Sequence, residues 1–123
     1  MIRRLTSTPT TPPEINRVPG PKRVAGDPEQ RLWSEYADAS GKFFVGVWES
    51  DPGTWRVQYT EEEYCRIVEG RSLLTASDGT VTAVGPGDEF VIPRGFVGTW
   101  QVIETTRKTY VIYEPGIEPG PSP

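Results

Sequence analysis

The sequence predicts an all-β fold, and three observations carry the prediction. Between residues 31 and 114, apolar and aromatic residues come in short runs with two-residue alternation, as in Thr54-Trp-Arg-Val-Gln-Tyr59. Turn clusters separate the runs: Asp51-Pro-Gly53, Ser77-Asp-Gly79, Gly85-Pro-Gly-Asp88 and Pro93-Arg-Gly95. Of 13 prolines, six lie in residues 9–28 and four in 115–123, so the interior holds only Pro52, Pro86 and Pro93. Proline removes a ladder N–H and fixes φ, which places the β core between two extended, helix-incompatible ends. Short strands at this spacing read as a sandwich or barrel.

Residues 1–30 read as an extended Pro-rich N-terminal arm, because Pro12-Pro13 and Pro19-Gly20-Pro21 force extended backbone. Such an arm is expected to cross its own barrel or a neighbouring subunit, and exchange of terminal segments is a simple route to a homodimer. Asp27-Pro28 has the chemistry of an N-cap and first helical residue, while Arg31-Leu-Trp-Ser-Glu-Tyr36 alternates as a strand. Residues 37–42 are a turn, and 42–49 a buried strand. In 54–59, Trp55, Val57 and Tyr59 share one face. Thr60-Glu-Glu-Glu63 interrupts, and 64–68 resumes as a strand expected to end at Gly70. Residues 72–76 and 80–84 form a hairpin around Asp78-Gly79. Strands at 89–92, 98–102 and 106–114 complete a single domain over 31–114, followed by a flexible tail at 115–123.

Composition narrows the function. The net charge is −4, from 17 acidic and 13 basic residues, which is not the basic excess that drives nucleic-acid binding. Arg3, Arg4, Arg17, Lys22 and Arg23 do cluster in the arm with Glu14 as the only acid before residue 27, and this reads as a solvated or interface arm. No apolar run reaches membrane-spanning length, and residues 1–13 carry no signal-peptide apolar region, so a cytoplasmic protein without a membrane partner is expected. Cys65 is the single cysteine and has no intramolecular partner. The chain has no histidine, which removes Ser-His-Asp and Cys-His catalysis and any His-ligated metal site.

The runs Tyr64-Cys-Arg-Ile-Val-Glu-Gly70 and Gly85-Pro-Gly-Asp-Glu-Phe-Val-Ile-Pro-Arg-Gly95 resemble the cupin double-stranded β-helix, a jelly-roll barrel. The second cupin motif, G(X)5PXG(X)2H(X)3N, runs without gaps through Gly87, Pro93 and Gly95. Its metal-binding His then falls on Gly98 and its Asn on Val102. In the first motif, G(X)5HXH(X)3–4E(X)6G, anchoring on Gly70 puts the Glu at Glu63 and the two His at Val57 and Tyr59. The wording, with Gly46-Val-Trp-Glu-Ser50 and Arg107-Lys-Thr-Tyr-Val-Ile112, is similar to small cupins of the ureidoglycine aminohydrolase C-terminal half and the ethanolamine-utilisation cupin. That resemblance covers residues 31–112. It implies a cupin barrel without the metal-binding histidines, in which Glu63 alone remains of four ligands, and so no metal and no cofactor.

With Glu63 inward, alternation sends Cys65 and Ile67 the same way, and Gly98, Trp100 and Val102 share the inner face of a later strand. Lys108, Tyr110 and Ile112 share a face on the last one. The expected site is therefore Glu63 and Lys108 as candidate catalytic pair, with Tyr59, Trp100, Tyr110, Cys65, Val57 and Gly98 as candidate ligand-binding positions. An apolar lining with few converging polar groups is the make-up of a small-molecule pocket. The leading expectation is a metal-independent cupin, a homodimer, that binds a small polar metabolite bearing an amine, amide or carboxylate. One alternative is a metal-independent enzyme of nitrogen metabolism with Glu63 as acid/base and Lys108 as its electrostatic partner. Another is a non-catalytic scaffold or regulatory subunit whose basic arm binds a partner; the bland reading of the pair is an ion pair that closes the barrel, and that of Cys65 an inert core thiol.

Overall fold

Two long strands carry the architecture. β6 (Glu62–Ala76) and β9 (Val97–Tyr113) pair antiparallel nearly end to end, from Glu62 opposite Tyr113 to Ala76 opposite Gly98. The computed structural model describes residues 1–116, so most of the tail expected at 115–123 lies outside the described residues. The other strands are β1 (Glu14–Arg17), β2 (Arg23–Ala25), β3 (Glu29–Ala37), β4 (Phe43–Ser50), β5 (Gly53–Gln58), β7 (Val81–Val84) and β8 (Glu89–Ile92). A 3₁₀ turn at Gly20–Lys22 is the one helical element among the described residues.

The sheet runs β1-β3-β4-β9-β5-β2, and β6 closes it by pairing with β7, β8 and β9. Along β9, residues 106–113 take β4 as neighbour and residues 97–102 take β5, while β6 lies on the other edge throughout. The sheet therefore curls into the jelly roll, with its core inside the curl. Val18, Trp55, Cys65, Ile67, Leu74, Val84, Ile92, Trp100 and Val102 make one buried cluster.

Three strand boundaries differ from the sequence reading. β6 does not stop at Gly70 and β9 does not break between 102 and 106; each continues through a bend. Register shifts fall between Ile67 and Ser72, and Gly70 sits in that bulge at φ 86°. A bulge adds a residue to one strand and flips which residues face inward. Before it, Glu63, Cys65 and Ile67 are buried; after it, Ser72 and Leu74 are. The third difference is at Asp27-Pro28, which opens no helix: β3 begins at Glu29.

The N-terminal segment lies on its own barrel. β1 pairs with β3 and β2 with β5. Residues before β1 are held by the outward side of β3 and β9: the Trp33 indole donates to the Thr11 carbonyl (2.7 Å), Arg107 to Ser7 O (3.0 Å) and Arg3 to Glu35 O (2.9 Å). Arg107 also stacks over Trp33, 5.2 Å from its ring centre, and bonds Glu49, which Arg31 shares at 2.8 Å.

Candidate functional site

Alternation on the five inward-facing strands leaves a cavity of about 370 Å³ inside the barrel. β9 contributes Trp100, Lys108, Tyr110 and Ile112; β6 contributes Glu63; β5 and the loop after it contribute Trp55 and Tyr59. β3 and β4 close the far wall with Gln30, Leu32, Ser34, Phe44 and Trp48. Tyr59 is placed by the Pro93-Arg-Gly95 turn, since its N–H donates to Phe96 O and its carbonyl accepts from the Gly95 N–H, at 2.9 and 2.7 Å.

At the floor, Lys108 Nζ lies 2.8 Å from Glu63 Oε2, and both side chains are only 5% exposed. The ammonium also faces two indoles, 4.4 Å from the Trp100 ring centre and 4.8 Å from that of Trp48. The second contact follows from register, because Trp48 and Lys108 are direct cross-strand partners. Burial works to lower the Lys108 ammonium, but Cys65, Glu63 and Tyr59 more than offset it, and Lys108 ends above its ordinary range. Burial pushes the Cys65 thiol up to about 12, with Lys108 opposing and Glu63 adding to the rise. Burial likewise raises the Tyr59 phenol, and it raises Tyr110 to about 12 with Glu63 contributing. Thiol and phenols thus stay protonated at neutral pH.

Trp100 is 1% exposed and its ring is anchored by a buried polar chain. Its indole N–H can only donate, and it meets Ser72 Oγ at 3.1 Å. Ser72 Oγ is 2.8 Å from Thr106 Oγ1, which in turn donates to Glu104 O at 2.8 Å. A single direction satisfies every group: indole to Ser72, Ser72 to Thr106, Thr106 to the carbonyl.

Of the positions read from the sequence, Tyr59, Glu63, Trp100, Lys108 and Tyr110 come together around this cavity. Cys65, 0% exposed, belongs to the core cluster beside the pair. Val57 borders a second cleft, shared with Tyr59, near Arg17 and Lys22. Gly98 offers no side chain and has room for none: a Cβ there would sit 2.0 Å from the Thr75 carbonyl oxygen. Trp48, Phe44, Gln30 and the Ser72–Thr106 anchor were missed. The 42–49 run is apolar on both faces, so only its register against Lys108 identifies Trp48 as inward.

A metal of the kind cupin barrels hold does not fit these residues. Among the described residues no three His, Cys, Asp or Glu side chains converge. Glu63 is committed to the Lys108 ammonium, Val57 and Tyr59 offer no basic nitrogen, and backbone closes the fourth position at Gly98.

Comparison with known proteins agrees with this architecture. The family model described as EutQ-like cupin domain matches residues 37–110. A protein of unknown function of the DUF861 family from Pseudomonas syringae pv. tomato superposes with a TM-score of 0.80 at 22% identity. That match covers 88% of this chain and 46% of the other, so this chain spans less than half of that protein. The Clostridium difficile EutQ protein superposes at 0.64 with 19% identity, over 71% of this chain and 64% of that one. A DUF861 family protein from Thermotoga maritima is 33% identical over 52% of this chain and 73% of its own, with a TM-score of 0.51. No curated protein matches the chain.

Proposed function

This chain belongs to the EutQ-like cupin domain family, and from that premise we propose that it binds a small polar metabolite in its barrel without a metal. The observation that carries the reading is the cavity itself. It is in the volume range of small-molecule sites, walled by three indoles and two phenols, with one buried ion pair at its floor. The ligand class is one bearing an amine, amide or carboxylate, contacted by Tyr59, Glu63, Trp100, Lys108 and Tyr110. Metal independence is supported by the donor set, which lacks converging ligands. The likeness to the aminohydrolase C-terminal half belongs to the same reading for the barrel and not for the activity, since its metal positions here are Val57, Tyr59 and Gly98.

The acid/base alternative has less support, because Glu63 is already neutralised by Lys108 at 2.8 Å. In this reading the protein is a cytoplasmic homodimer joined through its arms and a sheet edge.

The four tryptophans make the test internal. Trp48, Trp55 and Trp100 face the cavity, whereas Trp33 is tied to Thr11 on the outside. Amines, amides and carboxylates are titrated into ¹⁵N-labelled protein while the four indole N–H signals are followed. Saturable shifts at Trp48, Trp55 or Trp100 with Trp33 unmoved are expected. Shifts confined to Trp33, or none, contradict the reading.

A further inference from the structure

We propose, resting on the ligand-binding reading above, that the cavity selects uncharged planar amides over amines and carboxylates of the same shape. Glu63 and Lys108 neutralise each other at 2.8 Å with 5% of either side chain exposed. The ring faces that attract a cation are already taken, since the Lys108 ammonium lies over both Trp48 and Trp100. A ligand ammonium would share those faces with a resident cation. A ligand carboxylate would meet an ammonium whose charge is already answered. Either ion would shed its water and arrive in the barrel unmatched, which is costly in an apolar enclosure.

Besides the indole N–H groups of Trp48 and Trp55, the remaining hydroxyl and amide groups around the cavity are those of Gln30, Ser34, Tyr59 and Tyr110. Burial keeps both phenols protonated, so every one of these groups is neutral and can both donate and accept. An amide also does both, within one plane. The wall suits a flat molecule: Trp55 and Trp100 lie 6° from parallel, with ring centres 6.5 Å apart. Shape and hydrogen bonding therefore favour a planar amide, and the closed ion pair disfavours either charge.

Benzamide, benzoate and benzylamine isolate charge at nearly constant shape. Each is titrated into the full chain near neutral pH, reading the cavity indole signals. Benzamide is expected to bind at least about tenfold tighter than either ion, a difference of about 1.4 kcal/mol. Benzoate or benzylamine binding as tightly as benzamide overturns the selectivity while leaving a binding site in place. No response to any of the three at millimolar concentration overturns both readings. Glu63→Gln then tests the cause: with Lys108 unpaired, benzoate is expected to gain at least about tenfold relative to benzamide. An unchanged ranking in that variant denies the pair its role, and the wild-type ranking decides the selectivity even if the variant folds poorly.

Discussion

Lys108 Nζ and Glu63 Oε2 meet at 2.8 Å across the barrel floor, from β9 and β6, beneath two tryptophan rings. Each charge has the other as its counter-ion, with only 5% of either side chain exposed. Removing one therefore strands the other. Lys108→Met or Glu63→Gln alone is expected to cost about 3–5 kcal/mol of stability. The double variant should recover much of that loss, because uncharged replacements of both partners leave no buried charge. Urea unfolding of the three variants against wild type checks this through the coupling energy.

Gly98 tests the closure of the barrel wall. A methyl group there would meet the Thr75 carbonyl oxygen at 2.0 Å, and backbone cannot swing aside as a flexible side chain does. Gly98→Ala is expected to cost at least about 1–3 kcal/mol. The thermal midpoint of the variant reports it, and Gly79→Ala, whose Cβ meets nothing within 4 Å but whose φ is 92°, separates packing from backbone strain.

The Trp100 anchor makes a graded prediction. Thr106→Val leaves Ser72 without its acceptor, and Ser72→Ala leaves the buried indole N–H itself unsatisfied. Each is expected to cost about 1–3 kcal/mol, and the two should be strongly non-additive because they break one chain. Stability measurements with the double variant check the coupling. The indole N–H signal of Trp100 should move in both.

Alkaline pH should destabilise the protein before it reaches the range of free tyrosine. An unfolded Cys65 loses its proton near its ordinary value of 9.0, whereas the folded thiol holds it to about 12. Between those values the unfolded chain binds fewer protons, so stability falls as pH rises, by up to about 1.4 kcal/mol per pH unit for one group. Tyr110, raised from 10.0 to about 12, adds the same sign above pH 10. Lys108, raised from 10.5, contributes stability that is complete below that value and is lost at still higher pH. Urea midpoints followed upward from pH 8 should decline from about pH 9 in wild type. In Cys65→Ala they should start lower and decline less steeply.

Much of the site was legible because two-residue alternation survives where a strand is regular. Trp55 with Tyr59, and Lys108 with Tyr110, were assigned to shared faces from spacing alone, and they line one cavity. Legibility failed at the bends. Gly70 reads as a strand end, yet the strand passes through it in a bulge that reverses the inward parity, which is why Ser72 rather than Leu73 reaches Trp100. Trp48 was hidden for another reason: residues 43–48 are apolar on both faces, so only pairing with Lys108 distinguishes its side. Ser72 and Thr106 are small polar residues of the kind turns use, and nothing local marks them as buried. At Gly98 the motif spacing indicated a missing ligand, while only the packing shows Thr75 filling its place.

The most direct measurement is native mass spectrometry with metal analysis on protein purified without added metal or chelator. The expected result is no stoichiometric transition metal and a small organic molecule bound one per chain, lost on Trp100→Leu. A stoichiometric divalent metal that disappears in Glu63→Gln would contradict it, because Glu63 would then be a ligand rather than the partner of Lys108.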